Sequence, residues 1–185
     1  MRGKTQLKDS PPWRAAALAL MALAAQAAGP AAFPGAQGFG AHTPGGRGGR
    51  VIEVTNLDDA GPGSFRAACE AEGPRIVVFR VAGIIDLEKA IVVRNPYITI
   101  AGQTAPGEGI CLRGRTFDVS THDAVVRFLR CRAGDVAGKE IDAINIGHGA
   151  RRVVLDHCSA NWGVDECLSL SGDVADVTIS WCLIG

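Results

Sequence analysis

Three segments of this chain end alike. VVRFLRC closes on Cys131, RVVLDHC on Cys158 and DVTISWC on Cys182. Each carries a β-branched pair, then alternation, then cysteine. The runs RIVVFRVAG (75–83) and YITIAGQ (97–103) look like related units. Strand-like units returning roughly every 20–30 residues, with no helical pattern between them, constrain the chain to a solenoid of stacked β-coils. A second family of strands shares the same coils: DAINIG (142–147) precedes RVVLDHC, and ECLSLSG (166–172) precedes DVTISWC. The turns between them, GHGARR and GDVAD, are polar and glycine-rich. The expected fold is all-β, a parallel β-helix in which each coil lies about 4.8 Å above the last. Cys131, Cys158 and Cys182 are then expected to form one buried ladder of small side chains.

A solenoid needs a cap over its first apolar rung. GPGSFRAACEAEG (61–73) provides a short N-terminal capping helix: Ser64 as N-cap, Phe65, Ala68 and Cys69 on one face, and Gly73 as the stop. Residues 29–50 are rich in Gly and Pro. They read either as a flexible linker or as a folded lead-in strand, the latter because Phe33, Phe39 and Val51 need burial.

The extreme N-terminus reads differently. Arg2, Lys4, Lys8 and Arg14 precede the apolar run AAALALMALAAQAAG, and Ala25-Gln26-Ala27 fits a cleavage site. Residues 1–27 are therefore expected to be a secretory signal peptide, and 28–185 one domain. An uncleaved anchor is the competing reading. Of 19 basic and 19 acidic residues, removal of that segment takes four and one, leaving 15 and 18. A mildly acidic chain without a basic patch excludes nucleic acid as the expected partner. Export makes disulfides among the six cysteines possible, while the lack of any CxxC pair argues against zinc.

In a stack of coils, one coil of sequence distance means contact in space. Asp142 opens one strand, and Asp165 with Glu166 opens its successor. Glu140 shares the face of Asp142 in an extended chain. Four carboxylates gathered in this way repel one another unless a cation neutralises them. Glu140, Asp142, Asp165 and Glu166 are thus candidate ligands of a hard, oxygen-seeking ion, and Ca²⁺ suits an exported protein. A solvated acidic turn, with Lys139 or Arg151 as surface partner, is the alternative. Asp156 and His157 lie within a strand-like run and read as a structural polar pair rather than a catalytic dyad. GHG at 147–149 matches the Gly-His-Gly of β-helical polygalacturonases, without that family's Asn-x-Asp and Asp-Asp elements.

Taken together, GGRGGRVIEVTNLDDAGPGSFRAACEAEGPRIVVFRVAGII, ITIAGQTAPGEGI, RCRAGDVAGKEIDAINI and VVLDHCSANWGVDECLSLSG with DVTISWC resemble the N-terminal part of polysaccharide lyases of the pectate lyase family 1 type. The resemblance runs from about Phe33 to the end of the chain. LDH at 155–157 matches that family's Trp-Ile-Asp-His, with Val154 in the tryptophan position. The resemblance implies a right-handed, single-stranded parallel β-helix. It implies secretion (extracellular or periplasmic), a polygalacturonate substrate, calcium-dependent β-elimination, no membrane partner and a monomeric full-length protein. It carries the family's first acidic pair onto Glu140 and Asp142 and the next position onto Asp165. Its fourth acidic position falls on Ser169, a departure that Glu166 could offset. The family's catalytic lysine and arginines are expected beyond Gly185. The chain therefore reads as truncated and inactive alone. The competing readings are a noncatalytic carbohydrate-binding β-helix and a polygalacturonase-type hydrolase.

Overall fold

The computed structural model describes residues 29–185; the expected signal peptide lies outside the described residues. The chain winds through three parallel sheets in repeating order. Sheet A stacks β1 (Arg50–Val54), β2 (Arg75–Phe79), β5 (Ile98–Ala101), β8 (His122–Arg127), β11 (Arg151–Asp156) and β14 (Ala175–Ser180). Sheet B stacks β3 (Gly83–Asp86), β6 (Ile110–Arg113), β9 (Leu129–Arg132), β12 (Ser159–Asn161) and β15 (Leu183–Ile184). Sheet C stacks β4 (Ile91–Val93), β7 (Phe117–Val119), β10 (Ile144–Gly147) and β13 (Leu168–Ser171). From β2 onward the chain crosses A, then B, then C in turn, ending in sheet B; β1 is followed by the helix instead. The result is an all-β parallel solenoid of about five turns.

Alternation decides which side chains face inward. Ile98, Ala124 and Val153 stack in register along sheet A, as do Ile100, Val126 and Leu155, and all six are buried. Ile91, Phe117 and Ile144 do the same in sheet C. Each fully buried side chain of this size removes roughly 1.5–3 kcal/mol worth of apolar surface from water. Helix α1 (Phe65–Glu70) forms as expected, with the Ser64 hydroxyl accepting from the Ala67 N–H. It ends at Ala71, before Gly73. Phe65 is fully buried, its ring centroid 5.4 Å from that of Phe79 and 6.0 Å from that of Phe117.

One buried group escaped the sequence reading. Arg75 is wholly buried, and its guanidinium donates to five carbonyls, those of Ala68 and Cys69 at the end of α1 and of Gly73, Asn95 and Pro96. A helix leaves its last carbonyls unpaired. Arg75 satisfies two of them and ties the helix to the coil below. Burial lowers its pKa without a carboxylate partner to oppose the shift.

The cysteine ladder needs correction. Val153 pairs with Ala124, so the coil-to-coil offset there is two residues longer than the Cys131–Cys158 spacing. Arg130 consequently pairs with Ser159, and Cys131 with Ala160. Cys158 falls beside Leu129, whose N–H reaches the Cys158 sulfur at 3.5 Å. Cys158 and Cys182 do stack, because Leu183 pairs with Ser159. Cys131 and Cys158 are buried, with thiols pushed upward; Cys182 is half-buried and drawn down to about 7 by hydrogen bonding to Cys158.

The glycine-rich segment is a folded strap. Residues 38–49 run along the outer face of sheet A, from Thr178 on β14 back to Arg75 on β2. The Gly40 and Gly46 N–H groups each donate at 2.9 Å, to the hydroxyls of Thr178 and Thr99. Glycine is required by the closeness of approach: a Cβ on Gly46 would lie 1.7 Å from the Arg75 carbonyl oxygen, and one on Gly40 2.7 Å from that of Val153. Val125 and Val154 lie beneath the strap and are buried although they point away from the core. Phe33 lies under the Arg127 guanidinium, 3.8 Å from its ring centroid. Phe39 and Val51, expected to need burial, are exposed.

Sheet A is flanked by two columns of left-handed residues. Tyr97, Asp123, Arg152 and Asp176 stand at its entrance and Phe128, His157 and Trp181 at its exit, all with φ between 53° and 60° or close to it at 51°. Such conformations are uncommon outside glycine. Here they make the sharp corners that turn each coil between sheets, and they recur because the coils are stacked in register.

Candidate functional site

The outer face of sheet C is polar where its inner face is apolar. Asp118, Asn145 and Ser169 occupy equivalent positions on β7, β10 and β13. Asn145 Nδ2 donates to Asp118 at 2.9 Å and the Ser171 hydroxyl donates to Asn145 Oδ1 at 3.0 Å, while Ser169 Oγ lies 3.0 Å from the same Asn145 oxygen. This ladder fixes the amide orientation and pins three rungs together. Asp118 and Asn145 were not singled out from sequence. The signal was present: both alternate with core residues, in FDV and INI, and so had to face out.

Just before those strands the chain gathers its acids. Carboxylate oxygens of Asp142, Asp165 and Glu166 lie within 4.8 Å of one another. The Glu166 N–H donates to Asp142 at 3.2 Å, and the Ser169 hydroxyl donates to the other oxygen of Asp142. Backbone bonds hold the two turns in register: Val164 N–H to Ile141 C=O at 3.0 Å and Ala143 N–H to Glu166 C=O at 3.1 Å. Asp142 and Asp165 push the Glu166 carboxyl above the usual range, since a hydrogen bond to Asp142 and repulsion from Asp165 both favour its protonated form. Glu140 does not join this trio. It lines the same depression, a hollow of about 330 Å³ also bounded by Asp118, Asn145 and Asp165. Ser169 donates where a fourth carboxylate was expected, and thereby orients Asp142.

The donor set fits a hard cation. It is all oxygen, its three carboxylates are crowded, and among the described residues no lysine or arginine lines the hollow. Calcium accepts such flexible, incomplete oxygen cages and completes its shell with water or ligand.

Asp156 and His157, read from sequence as a polar pair, are hydrogen-bonded to each other, with Asp156 internal and His157 outside. Asp156 is buried and accepts from Arg127 Nε at 2.8 Å, from the Ser180 hydroxyl at 2.8 Å, and pairs with His157 Nδ1 at 2.8 Å. Burial raises its pKa, but the three hydrogen bonds outweigh that and hold the carboxyl below its ordinary value. His157 is exposed, because the left-handed corner at this residue breaks the strand alternation. His148 of the GHG triplet sits in the turn between β10 and β11, exposed, with the Ala150 N–H donating to the Gly147 carbonyl across it. Among the described residues no helix is long and apolar enough to cross a membrane.

No family model matches the chain. It is 47% identical over 154 residues to a probable pectate lyase C of Aspergillus flavus, spanning 83% of this chain and 36% of that protein. A probable pectate lyase C of Emericella nidulans is 45% identical over 168 residues, covering 90% of this chain and 39% of the relative. Pectate lyase 5 of Ambrosia artemisiifolia is 32% identical over 164 residues, covering 78% and 41%. The chain thus spans well under half the length of these curated relatives. Among solved structures, Jun a 1, the major allergen from cedar pollen, superimposes with a TM-score of 0.65 at 22% identity, over 77% of this chain and 46% of that one. That likeness concerns the fold.

Proposed function

We infer, from the premise that this chain is a relative of the pectate lyases over most of its length, that it carries the cation-anchoring, polyuronate-binding part of a secreted pectate lyase. The observation that carries this reading is the trio Asp142, Asp165 and Glu166, crowded on the outer face of the solenoid without a basic partner. Asp142, Asp165 and Glu166 would hold a calcium ion, which would supply positive charge for a uronate carboxylate and for acidifying the adjacent C–H in a β-elimination. The chain's own residues prepare the place. Ser169 and the Glu166 N–H fix both oxygens of Asp142. Asn145 is held by its contacts with Ser169 and Ser171 and lines the hollow beside Asp142 and Asp165. Glu140 stands at the rim.

A β-elimination also needs a base and a stabiliser of the developing enolate charge. No basic side chain lines the hollow among the described residues. That favours a second reading for these 185 residues taken alone: a module that binds polyuronate without cleaving it. A hydrolase finds less support, since its two carboxylates work at roughly 5–9.5 Å with a water or sugar between them.

The test is to produce the chain and titrate it with calcium by calorimetry, then assay polygalacturonate with calcium at alkaline pH by ultraviolet absorbance of the unsaturated product. Calcium-dependent heat and retention of the polymer without product are expected. Absence of any calcium heat overturns the cation site. Steady product formation by a monomer overturns the noncatalytic reading and locates the base within the chain.

A further inference from the structure

A second cleft lies elsewhere, at the corner between sheets A and B. Phe128, His157 and Trp181 stack there, ring centroids 4.7 Å and then 6.1 Å apart, with interplanar angles of 19° and 26°. One coil earlier the equivalent position is Gly102, where a Cβ would lie 2.4 Å from the Phe128 carbonyl oxygen. No side chain fits, so the aromatic ladder stops and a floor opens. The loop 103–109 forms the facing wall, and the cleft between them holds about 530 Å³. That is the size of small-ligand sites.

Arg130 stands in this cleft, on the outer face of β9. Its Nε is buried and has no hydrogen-bond partner. Its neighbours differ: Arg127 is paired with Asp156, Arg113 with Asp86, and Arg132 donates to Ser159. That Nε is out of a ligand's reach, but Arg130 forms no ion pair among the described residues, and a carboxylate can pair with the terminal nitrogens of a guanidinium by two parallel bonds. The edges of the stacked rings give the cleft an apolar wall for a sugar, and Glu108 and Ser159 offer polar contacts for hydroxyls.

We propose that this corner is a second, metal-independent platform for uronate sugars, with the column of Phe128, His157 and Trp181 packing its ring edges against the sugars and Arg130 taking a carboxylate. The identity of the sugar rests on the functional reading above; the site itself is separate from the sheet C hollow. A platform away from the cation site would keep the polymer attached independently of calcium.

The test uses the whole chain with a galacturonate trimer in EDTA, followed by NMR titration. Binding is expected to persist in EDTA. Arg130→Gln and Trp181→Ala should each weaken it about tenfold while melting as the parent does, and an uncharged galactose trimer should bind at least about tenfold more weakly. Binding seen only with calcium overturns the platform and upholds the sheet C reading. Binding in EDTA that calcium does not strengthen upholds the platform and overturns the sheet C reading. Unchanged affinity in both variants, or equal binding of the uncharged trimer, also overturns the proposal.

Discussion

The carboxylates flanking sheet A and those facing out from sheet C obey opposite electrostatics. Asp123 and Asp156 are buried, and each has an arginine: Arg152 Nε is 2.7 Å from Asp123, and Arg127 Nε is 2.8 Å from Asp156. Each also holds a histidine, His122 or His157. Burial alone would raise both pKa values, yet these donors lower them. Asp142, Asp165 and Glu166 are more open, have no cationic partner among the hollow's lining, and Glu166 is shifted upward. The same residue type serves as an internal fastener in one region and as a vacant charge in the other. What separates them is whether the coil register delivers a cation from the next rung.

The largest break in that comparison should come from Asp156→Ala. It strands Arg127, whose side chain is only 19% exposed, and removes the acceptor for Ser180. A loss of about 3 kcal/mol in unfolding free energy is expected, measured by urea denaturation. A change near zero would show that the pair contributes no more than a surface bridge.

Next comes calcium. At a free concentration a hundredfold above its dissociation constant it should stabilise the chain by about 2.7 kcal/mol. Asp142→Ala should erase the associated rise in melting temperature without the large loss seen for Asp156→Ala. A melting rise that survives in Asp142→Ala would place the ion elsewhere.

Acid should act on the two regions with opposite sign. A depressed folded pKa, as for Asp123 and Asp156, gives stability that is present above the unfolded carboxylate value of about 3.9 and lost as pH falls through the folded value. A raised pKa, as for Glu166, gives stability present below the unfolded value and lost as pH rises through the folded one. Without calcium at neutral pH, Glu166→Gln should therefore melt slightly higher than the parent, and with calcium it should gain less. Thermal melts at pH 3.5, 5 and 7, with and without EDTA, check both signs.

The smallest effect is expected for Glu140→Gln. Its side chain lines the hollow but lies outside the crowded trio, so the calcium-induced shift should stay close to that of the parent. A loss as large as that of Asp142→Ala would return Glu140 to the ligand set.

Much of the solenoid was written in local pattern. The recurring β-branched pairs mark β2, β5, β8, β11 and β14, and the outward Asp142 and Asp165–Glu166 fall one coil apart as their spacing required. The Ser64 cap and the buried face of α1 follow from the same kind of local chemistry. Sheet B was less legible, because its strands are short and β9 follows β8 after the single left-handed residue Phe128, so LRC read as a continuation of the strand before it. The strap was ambiguous for a physical reason. Glycine-rich sequence is equally suited to a mobile chain and to one pressed against a backbone, and only the presence of the Arg75 and Val153 carbonyls at Gly46 and Gly40 decides between them.

What the sequence determined by itself was periodicity: apolar residues every second position, coil after coil, leave burial no better solution than stacked parallel strands. What tertiary structure decided was register. Coils of unequal length shift which residues become neighbours, and a shift of two keeps every side chain on its proper face while changing its partner. Cys131 therefore remained in the core yet stacked on Ala160 rather than Cys158, Arg127 met Asp156, the Nε of Arg130 met no hydrogen-bond partner among the described residues, and Ser169 came to donate to Asp142. Hydrophobic burial is indifferent to such a slip, because any apolar neighbour serves. Hydrogen bonds and ion pairs are not, since they require one particular atom within about 3 Å.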